Sequence, residues 1–306
     1  MRAITAGILL AATLLPAPLH AWDDVGHRVV ARIAWESLSP AARAQAAALL
    51  LAAPEDSGLP ALLPADGRPL EVRERELFEA AACWADWIRD PERPARRYDR
   101  PSWHYVNFFW RQDGAGGPAV ELDLPLTGEL LVQIERVSAA LGDRERPATQ
   151  RGLDLAWLLH LVGDLHQPLH TSARVSPRDP DGDRGGNAFR LGEGNNVHRA
   201  WDVVLSERYP RHEGETLEGY IGRVAAAVME AHPRADFEAA LVQPADFTAW
   251  AREGLAVAQR AAYPAYLERD APPPARYTDD VYAAAAPRIA LAGYRLAALL
   301  EELLGS

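Results

Sequence analysis

Residues 155–170 read LAWLLHLVGDLHQPLH. Apolar residues recur there at helical spacing, so we expect a buried helix that ends where Pro168 lacks a backbone donor. His160 and Asp164 are four residues apart and therefore lie on one face of this helix, and His170 follows the proline. An aspartate is rarely buried unless it is paired or bound to a metal. The stretch taken alone is compatible with a metal site or with a hydrogen-bonded core histidine beside a capping aspartate.

The beginning of the chain has the layout of a secretory signal peptide. Arg2 precedes an apolar run at 4–15, and Ala21 is a small residue suited to the position before a cleavage site. We therefore expect a signal peptide at 1–21 and one domain at 22–306. The mature protein is expected to be secreted or periplasmic. No other segment is predicted to insert stably into a membrane.

The composition is that of an acidic globular protein. Of the 306 residues, 48% are hydrophobic, which is enough for a substantial core. The 32 basic residues are all arginines and are outnumbered by 43 acidic ones, so the formal net charge is −11. This excludes a broad cationic surface for nucleic acid, and any phosphate-binding function must use a local positive site. Cys83 is the only cysteine, so an intramolecular disulfide is impossible.

Apolar periodicity and capping residues predict an all-α fold class. Asp23 or Asp24 can cap a first helix that reaches Leu38, and Pro40 can open a second one. Further helices are predicted at about 73–90, 128–141, 155–167, 217–232, 245–262 and 279–304. The aromatic run 103–109 reads as an extended segment, but no sustained strand alternation appears.

The segment 176–196 is rich in Asp, Gly and Asn and is predicted to be a loop. Asp179, Asp181 and Asp183 alternate as the ligands of a calcium loop do. The required glutamate at the twelfth position is replaced by Arg190, so we interpret the segment as a turn-rich loop without calcium.

A second pair, His198 and Asp202, repeats the spacing of His160 and Asp164. Asp86 lies among tryptophans, where a charge needs a partner, and Arg89 follows on the same helix face. Histidines beside apolar residues occur at five positions: His27, His104, His160, His170 and His198. Imidazole and carboxylate ligands together suit zinc.

The sequence resembles the zinc-dependent single-strand nucleases of the S-one/P-one type, whose mature chains begin with tryptophan. The ordered motifs that carry the resemblance are Trp22 with His27, Trp84-Ala85-Asp86 with Arg89, Trp103-His104-Tyr105, the run from His160 to His170, Gly185-Gly186-Asn187, His198-Arg-Ala-Trp201-Asp202 and Gly293-Tyr294-Arg295-Leu296. They span nearly all of the mature chain.

This resemblance implies a single, mostly helical domain of the phospholipase C/P-one nuclease type with three Zn²⁺ ions in one cleft. The implied ligands of the first zinc are Asp86, His104, His160 and Asp164. The second would use the amine and carbonyl of Trp22, with His27 and a shared Asp164. The third would use His170, His198 and Asp202. Because an α-amine binds a metal only when it is free, the Trp22 ligand requires removal of the signal peptide.

The predicted catalytic residues are Asp86 and Arg89. Two metal ions that share a carboxylate lie roughly 3.5–4 Å apart and can activate a water for attack on phosphorus, while a third can neutralise the leaving oxygen. Arg89 can stabilise charge on the phosphoryl oxygens. Three divalent ions also provide the local positive charge that an acidic nuclease needs.

The predicted substrate-binding residues are Tyr105, Asn107, Arg184 and Asn187. Tyr105 occupies the stacking position of the resembled family, and Asn107 occupies the position that contacts the base edge. Arg184 replaces an apolar residue that closes the other side of the base in a relative, and a guanidinium plane can also stack there. Tyr105 can alternatively be a core aromatic. His166 faces another side of its helix and is expected to support the site or the fold without binding metal.

The resulting prediction is an exported zinc endonuclease that hydrolyses single-stranded DNA and RNA to 5′-phosphorylated products, with possible 3′-nucleotidase activity. No obligatory protein partner is evident. Two alternatives stay open: a zinc-dependent phospholipase C, which shares the fold and metal arrangement by resemblance, and an exported zinc-binding protein without turnover. The ligand Asp202 and the short interval between Trp22 and His27 favour the nuclease.

Overall fold

The computed structural model describes residues 22–112, 114, 117–241 and 245–305. The predicted signal peptide, 1–21, lies outside the described residues. The predicted mostly helical domain is confirmed, with eleven α-helices among the described residues. They are α1 Asp24–Ser37, α2 Pro40–Ala52, α3 Leu70–Trp87, α4 Leu130–Gly142, α5 Ala148–His166, α6 Val197–Asp202, α7 Val204–Arg208, α8 Leu217–Ala231, α9 Glu238–Leu241, α10 Phe247–Ala261 and α11 Arg276–Leu304.

Short 3₁₀ helices connect several of these elements. They are Glu55–Ser57, Pro60–Leu62, Pro94–Tyr98, Pro101–His104, Pro168–His170 and Arg234–Phe237. Most of them begin with proline, which fixes φ for a first turn and needs no donor there. Two of these short helices carry predicted zinc ligands, since they end at His104 and His170.

The predicted helix starts are explained by capping. The Asp23 side chain accepts a hydrogen bond from the Gly26 N–H at 3.0 Å, and the Ser39 hydroxyl caps α2, which Pro40 opens. The α3 helix is shifted from the predicted 73–90 because Pro69 stands at its N-cap and helix formation begins directly after it. The central helix α5 also begins earlier than expected, after Pro147.

The α5 helix forms the centre of the fold. It packs against α1, α2, α3, α4, α10 and α11. All of its residues from Leu155 to His166 are buried, including the polar His160, Asp164 and His166. It ends at His166 as predicted, and the 3₁₀ turn from Pro168 then carries His170 back towards the same face.

A small sheet was missed by the sequence analysis. Its strands are β1 Phe108–Gln112, β2 Ala119–Glu121 and β3 Ser172–Val175, in the order β2-β1-β3. β1 pairs antiparallel with β2 and parallel with β3, with Phe108 opposite Ser172. The prediction of an extended segment at 103–109 was wrong for its first two residues, since Pro101–His104 is a 3₁₀ helix. Strands of three to five residues are too short to show an alternating pattern.

The α11 helix is long and apolar enough, by length and composition alone, to cross a membrane. The sequence analysis overlooked this property. The protein itself buries 78% of the apolar window. Packing against α1, α5 and other helices therefore accounts for the composition of α11.

Buried polar side chains join α5, α10 and α11. Arg295 donates two hydrogen bonds to the Glu253 carboxylate, at 2.7 and 2.8 Å, and lies 3.1 Å from His166 Nε2. Arg288 donates to Glu253 and to the Trp250 carbonyl. His166 Nδ1 lies 2.8 Å from the Val162 carbonyl, and burial together with the two arginines keeps the pKa of His166 well below its ordinary value. A neutral His166 therefore accepts a hydrogen bond from Arg295.

We predict that Arg295→Met lowers the free energy of unfolding by about 2 kcal/mol, because His166 and Glu253 lose a charged donor in a largely desolvated place. The matched control is Arg208→Met, since Arg208 is half exposed and lies 3.4 Å from the exposed Asp279. That control should change stability by less than about 0.5 kcal/mol. Urea unfolding measures both changes. Equal, small losses in the two variants would contradict the prediction.

Candidate metal centre

Asp164 lies at the centre of the predicted metal ligands. It is fully buried, and its two oxygens face different imidazoles. Oδ1 is 3.4 Å from His27 Nε2, whereas Oδ2 is 3.1 Å from His104 Nδ1 and 3.2 Å from His160 Nε2. This arrangement is the one that a carboxylate shared by two metal ions requires.

Asp86 brings a second carboxylate to the Oδ2 side. Its Oδ1 atom lies 3.8 Å from His104 Nδ1 and 4.0 Å from His160 Nε2. The packing of α3 on α5 brings Asp86 close to His160 and Asp164. The 3₁₀ helix that ends at His104 adds the third element of this ligand set. The first predicted ligand set therefore forms one cluster.

The third predicted set also comes together. His170 Nε2 is 3.2 Å from His198 Nε2, which is 3.5 Å from Asp202 Oδ2. The other oxygen of Asp202 accepts a 2.7 Å hydrogen bond from the Gln167 side chain. His198 and Asp202 are one turn apart on α6, which positions them on one face.

The distances between the donor atoms fit zinc. Ligands at 2.0–2.1 Å from a tetrahedral zinc are roughly 3.3 Å apart, and the contacts around Asp164 and in the third set are 3.1–3.5 Å. Buried ligand atoms without a hydrogen-bond partner include His27 Nε2 and Asp164 Oδ1. Because an unpaired buried polar atom is costly, these atoms favour a metal ion as partner.

Backbone carbonyls orient three of the imidazoles. His160 Nδ1 is 2.8 Å from the Ala82 carbonyl, and His198 Nδ1 is 2.7 Å from the Gly185 carbonyl. His170 Nδ1 contacts the His104 carbonyl in the same way. An Nδ1–H that donates to a carbonyl leaves Nε2 as the lone-pair nitrogen, which is the state a metal-binding histidine needs.

The local charges also favour a cation. Burial raises the pKa of Asp202 well above its ordinary value, and nearby Asp23, Asp86 and Asp164 raise it further, although Gln167 opposes them. Burial opposes protonation of His160, but Asp164 and Asp86 outweigh it and raise the pKa of His160 to about 9. A bound divalent ion would replace these protons as the positive charge.

Two glycines allow the ligands to approach. A Cβ on Gly163 would lie 2.7 Å from His27 Nδ1, so a side chain there would displace the imidazole from Asp164. Gly185 has a φ of +62°, and a Cβ on it would lie 2.3 Å from the Leu169 carbonyl. Both glycines belong to motifs that carried the resemblance.

Trp22 lies beside the cluster. Its side chain is fully buried, and its indole N–H donates to the Gly163 carbonyl at 3.1 Å. The N–H of the next residue, Asp23, donates to the Asp202 carbonyl at 3.0 Å. The chain start of the predicted mature protein is therefore held between α5 and α6, next to the shared Asp164.

The cluster forms one wall of a cavity of about 390 Å³, which we call the cleft. This volume lies in the range of small-molecule sites. All four predicted substrate residues and Arg89 line it: Arg89, Tyr105, Asn107, Arg184 and Asn187. His104, His170 and His198 line it as well. The fold therefore brings together predicted residues from five separate parts of the chain.

The cleft residues differ in how they are fixed. The Asn107 amide donates to Thr127 Oγ1 at 3.0 Å, and Tyr105 is partly buried. Asn187 Nδ2 donates to the Arg184 carbonyl at 2.9 Å and thereby holds the loop. Arg184 is exposed and has a φ of +58°, an uncommon value for a residue with a side chain.

Some supporting residues were missed. Gln167, which orients Asp202, stands in the quoted run from His160 to His170 and was readable as a polar residue before a proline. Trp157 packs its ring edge-on against His104, at 5.7 Å between centroids. His166 belongs to none of the three clusters. Two of the three aspartates of the rejected calcium loop have protein partners, since Asp179 pairs with Arg269 and Asp183 accepts a hydrogen bond from Tyr263.

The sequence model of the family described as S1/P1 Nuclease matches residues 22–305. The chain belongs to this family. The resemblance that rested on the motifs is therefore confirmed. The family is zinc-dependent, which agrees with the three His/Asp clusters.

A curated relative is Nuclease S1 of Aspergillus oryzae (strain ATCC 42149 / RIB 40). The two sequences are 26% identical over 202 residues, which is 64% of this chain. The match spans 59% of the length of the relative.

We predict that zinc binding to the metal-free protein strengthens as the pH rises towards 9. The His160 imidazole is protonated below its pKa of about 9, and zinc requires the neutral ring, so each ion bound there must displace a proton. With one proton displaced, the apparent affinity should fall about tenfold for each pH unit below 9. Competition with a chelator at pH 6, 7 and 8 measures this. A constant affinity across that range would contradict it.

Proposed function

We propose that the chain is an exported zinc-dependent endonuclease that hydrolyses single-stranded DNA and RNA to 5′-phosphorylated products and also has 3′-nucleotidase activity. The observation that carries this proposal is the convergence of nine predicted ligand residues beside a cleft that also contains Arg89 and Tyr105. Family membership supports the nuclease class, and the cleft chemistry supports the finer assignment.

The proposed zinc ligands follow the observed clusters. One ion would be held by Asp86, His104, His160 and Asp164, and another by His170, His198 and Asp202. The remaining ion would be held by His27, Asp164 and the freed backbone of Trp22. When bound, zinc supplies Lewis acidity and lowers the pKa of the attacking water.

Arg89 is the proposed binder of the phosphoryl oxygens. Its Nη1 atom is 3.4 Å from Asp86 Oδ1, and its side chain is only 16% exposed. Asp86 is the proposed catalytic carboxylate for two reasons. It faces the imidazoles of His104 and His160, and it orients Arg89. A guanidinium fixed in this way can donate two hydrogen bonds to a phosphate whose charge grows in the transition state.

The base would bind at the opposite end of the cleft. Tyr105 offers a ring face, and the exposed guanidinium of Arg184 can cover the other face of a stacked base. The amide of Asn107, oriented by Thr127, would contact the base edge. A base can enter this space only when it is unpaired, which gives a physical reason for selectivity towards single strands.

We predict that the zinc-loaded protein cleaves single-stranded DNA and RNA faster than duplex DNA, releases 5′-phosphorylated ends and 3′-nucleotide phosphate, and leaves phosphatidylcholine intact. Arg89→Ala should lower kcat by about 10²–10³-fold with unchanged zinc content, because it removes a donor to the transition state. Product analysis by chromatography and metal analysis by mass spectrometry provide the measurements.

Arg93→Ala is the matched control, since Arg93 lies one turn away in sequence and is 51% exposed. It should stay within about twofold of wild type. Release of a phosphorylated lipid headgroup in place of nucleotides would overturn the nuclease assignment in favour of the phospholipase. A fully active His160→Ala variant would refute the catalytic role of the cluster.

We also infer that export and activation are linked at Trp22. The amine of Trp22 can bind a metal only after the chain is cut behind Ala21, and the indole contact to Gly163 keeps Trp22 beside Asp164. The precursor would therefore lack one complete metal site while it is still inside the cell.

We predict that protein beginning at Trp22 binds three zinc ions per chain, whereas protein that retains Ala21 binds two. An amide nitrogen is a far poorer ligand than a free amine. Metal analysis of both forms after identical zinc loading makes the comparison. Trimming Ala21 from the longer form with an aminopeptidase is the control and should restore the third ion. Three ions in the untrimmed form would exclude Trp22 as a ligand.

A further inference from the structure

A second and larger cavity, of about 660 Å³, lies away from the metal cluster. We call it the distal cavity. Arg111 and Arg174 line it from the ends of β1 and β3, and the rings of Phe189 and Tyr263 form its aromatic wall. The remaining described lining residues include prolines and aliphatic side chains, and none of the described lining residues is acidic. In a chain with 43 acidic residues, this is an unusual local composition.

Arg174 is held in place by more than one contact. Its backbone N–H donates to Asp183 Oδ1 at 2.9 Å, and its carbonyl accepts from the Asp183 N–H at 2.9 Å. Its guanidinium carbon lies 4.6 Å from the centre of the Tyr263 ring and 5.9 Å from that of Trp110. Ring faces attract a cation and hold its plane in one orientation.

The guanidinium of Arg174 makes no direct ion pair within the described part of the chain, although its charge favours the ionised form of the nearby Asp183. No described carboxylate lies within ion-pair distance of its guanidinium, and its buried Nε atom has no hydrogen-bond partner. The neighbouring carboxylates are engaged: Asp183 with Tyr263, and Asp179 with Arg269. An ordered cation without a direct ion pair, beside aromatic rings, suits a ligand that carries both an anion and a flat ring.

The distal cavity lies along the same two strands that lead away from the cleft. β1 begins directly after Asn107 of the cleft, and β3 begins two residues after His170. The two parallel strands leave the cleft in the same direction and carry Arg111 and Arg174, which stand four residues after Asn107 and His170. At about 3.3 Å per residue this is a separation of about 13 Å. The same loop borders both spaces, since Asn187 lines the cleft and Phe189 lines the distal cavity.

We propose that the distal cavity is a second nucleotide subsite that binds a base and a phosphate of the single-stranded substrate away from the scissile bond. The inference rests on the proposed function. The base stacks on Phe189 or Tyr263, and Arg174 binds the phosphate. A distance of 13 Å corresponds to about four nucleotides at 3.4 Å each in a stacked strand, and to fewer in an extended one. A dinucleoside monophosphate carries only the scissile phosphate and therefore has no second phosphate to offer to Arg174.

The test compares substrates of different length on the zinc-loaded enzyme. For wild type, we expect KM to fall about tenfold from a dinucleoside monophosphate to an octanucleotide, because one more base is stacked. Arg174→Gln should raise KM for the octanucleotide about fivefold or more, with unchanged kcat and unchanged kinetics on the dinucleoside monophosphate. Arg178→Gln is the matched control, because Arg178 lies on the loop that follows β3. The Arg178 side chain is 65% exposed and pairs with Asp270, so this substitution should have little effect.

A second pair of variants tests the proposal if the Arg174→Gln protein does not fold. Pro177 is an exposed residue of the cavity rim, so it tolerates substitution. Pro177→Glu places a carboxylate there and should weaken octanucleotide binding, whereas Pro177→Gln should not.

The outcomes separate this inference from the proposed function. A wild-type KM that does not depend on length would overturn the subsite, as would equal effects of Arg174→Gln and Arg178→Gln or of the two Pro177 variants. Loss of dinucleotide turnover together with octanucleotide turnover in a folded Arg174→Gln protein would also overturn it. Wild-type protein that cleaves none of these substrates would instead refute the proposed function itself.

Discussion

Three buried carboxylates, beside the imidazoles that line the cleft, are the constraint on which this structure depends. Asp86, Asp164 and Asp202 are each at most 6% exposed, and their described side-chain neighbours include imidazoles, Arg89 and the amide of Gln167. Burying a carboxylate without compensation costs more free energy than a domain can spare. The fold therefore requires cations beside these carboxylates. The helices α3, α5 and α6 hold the three carboxylates together before any ion binds.

The sequence revealed the parts of the site that lie on single elements. His160 with Asp164, and His198 with Asp202, follow from helical spacing alone. That His27 faces one oxygen of Asp164 and His104 the other depends on how α1, α3 and α5 cross, and no local pattern encodes such a crossing. The ordered family motifs bridged this gap. The arginine network around Glu253 was not predictable, because its members come from three helices and each looks like a surface charge in isolation.

The small sheet shows the same limit in another form. Strands of three to five residues carry no readable alternation, and the parallel pairing of β1 with β3 joins segments more than sixty residues apart. This sheet nevertheless sets the geometry between the cleft and the distal cavity. The arginines of both spaces place positive charge at ordered positions of an acidic chain.

Cys83 has a practical consequence for the use of the protein. Its thiol is fully buried on α3, and burial raises its pKa well above the ordinary value, so the reactive thiolate is suppressed. With a single inert sulfhydryl and no crosslink to open, the domain should fold equally well in oxidising and reducing surroundings. Dithiothreitol in a nucleic-acid preparation would then threaten it only as a competitor for zinc.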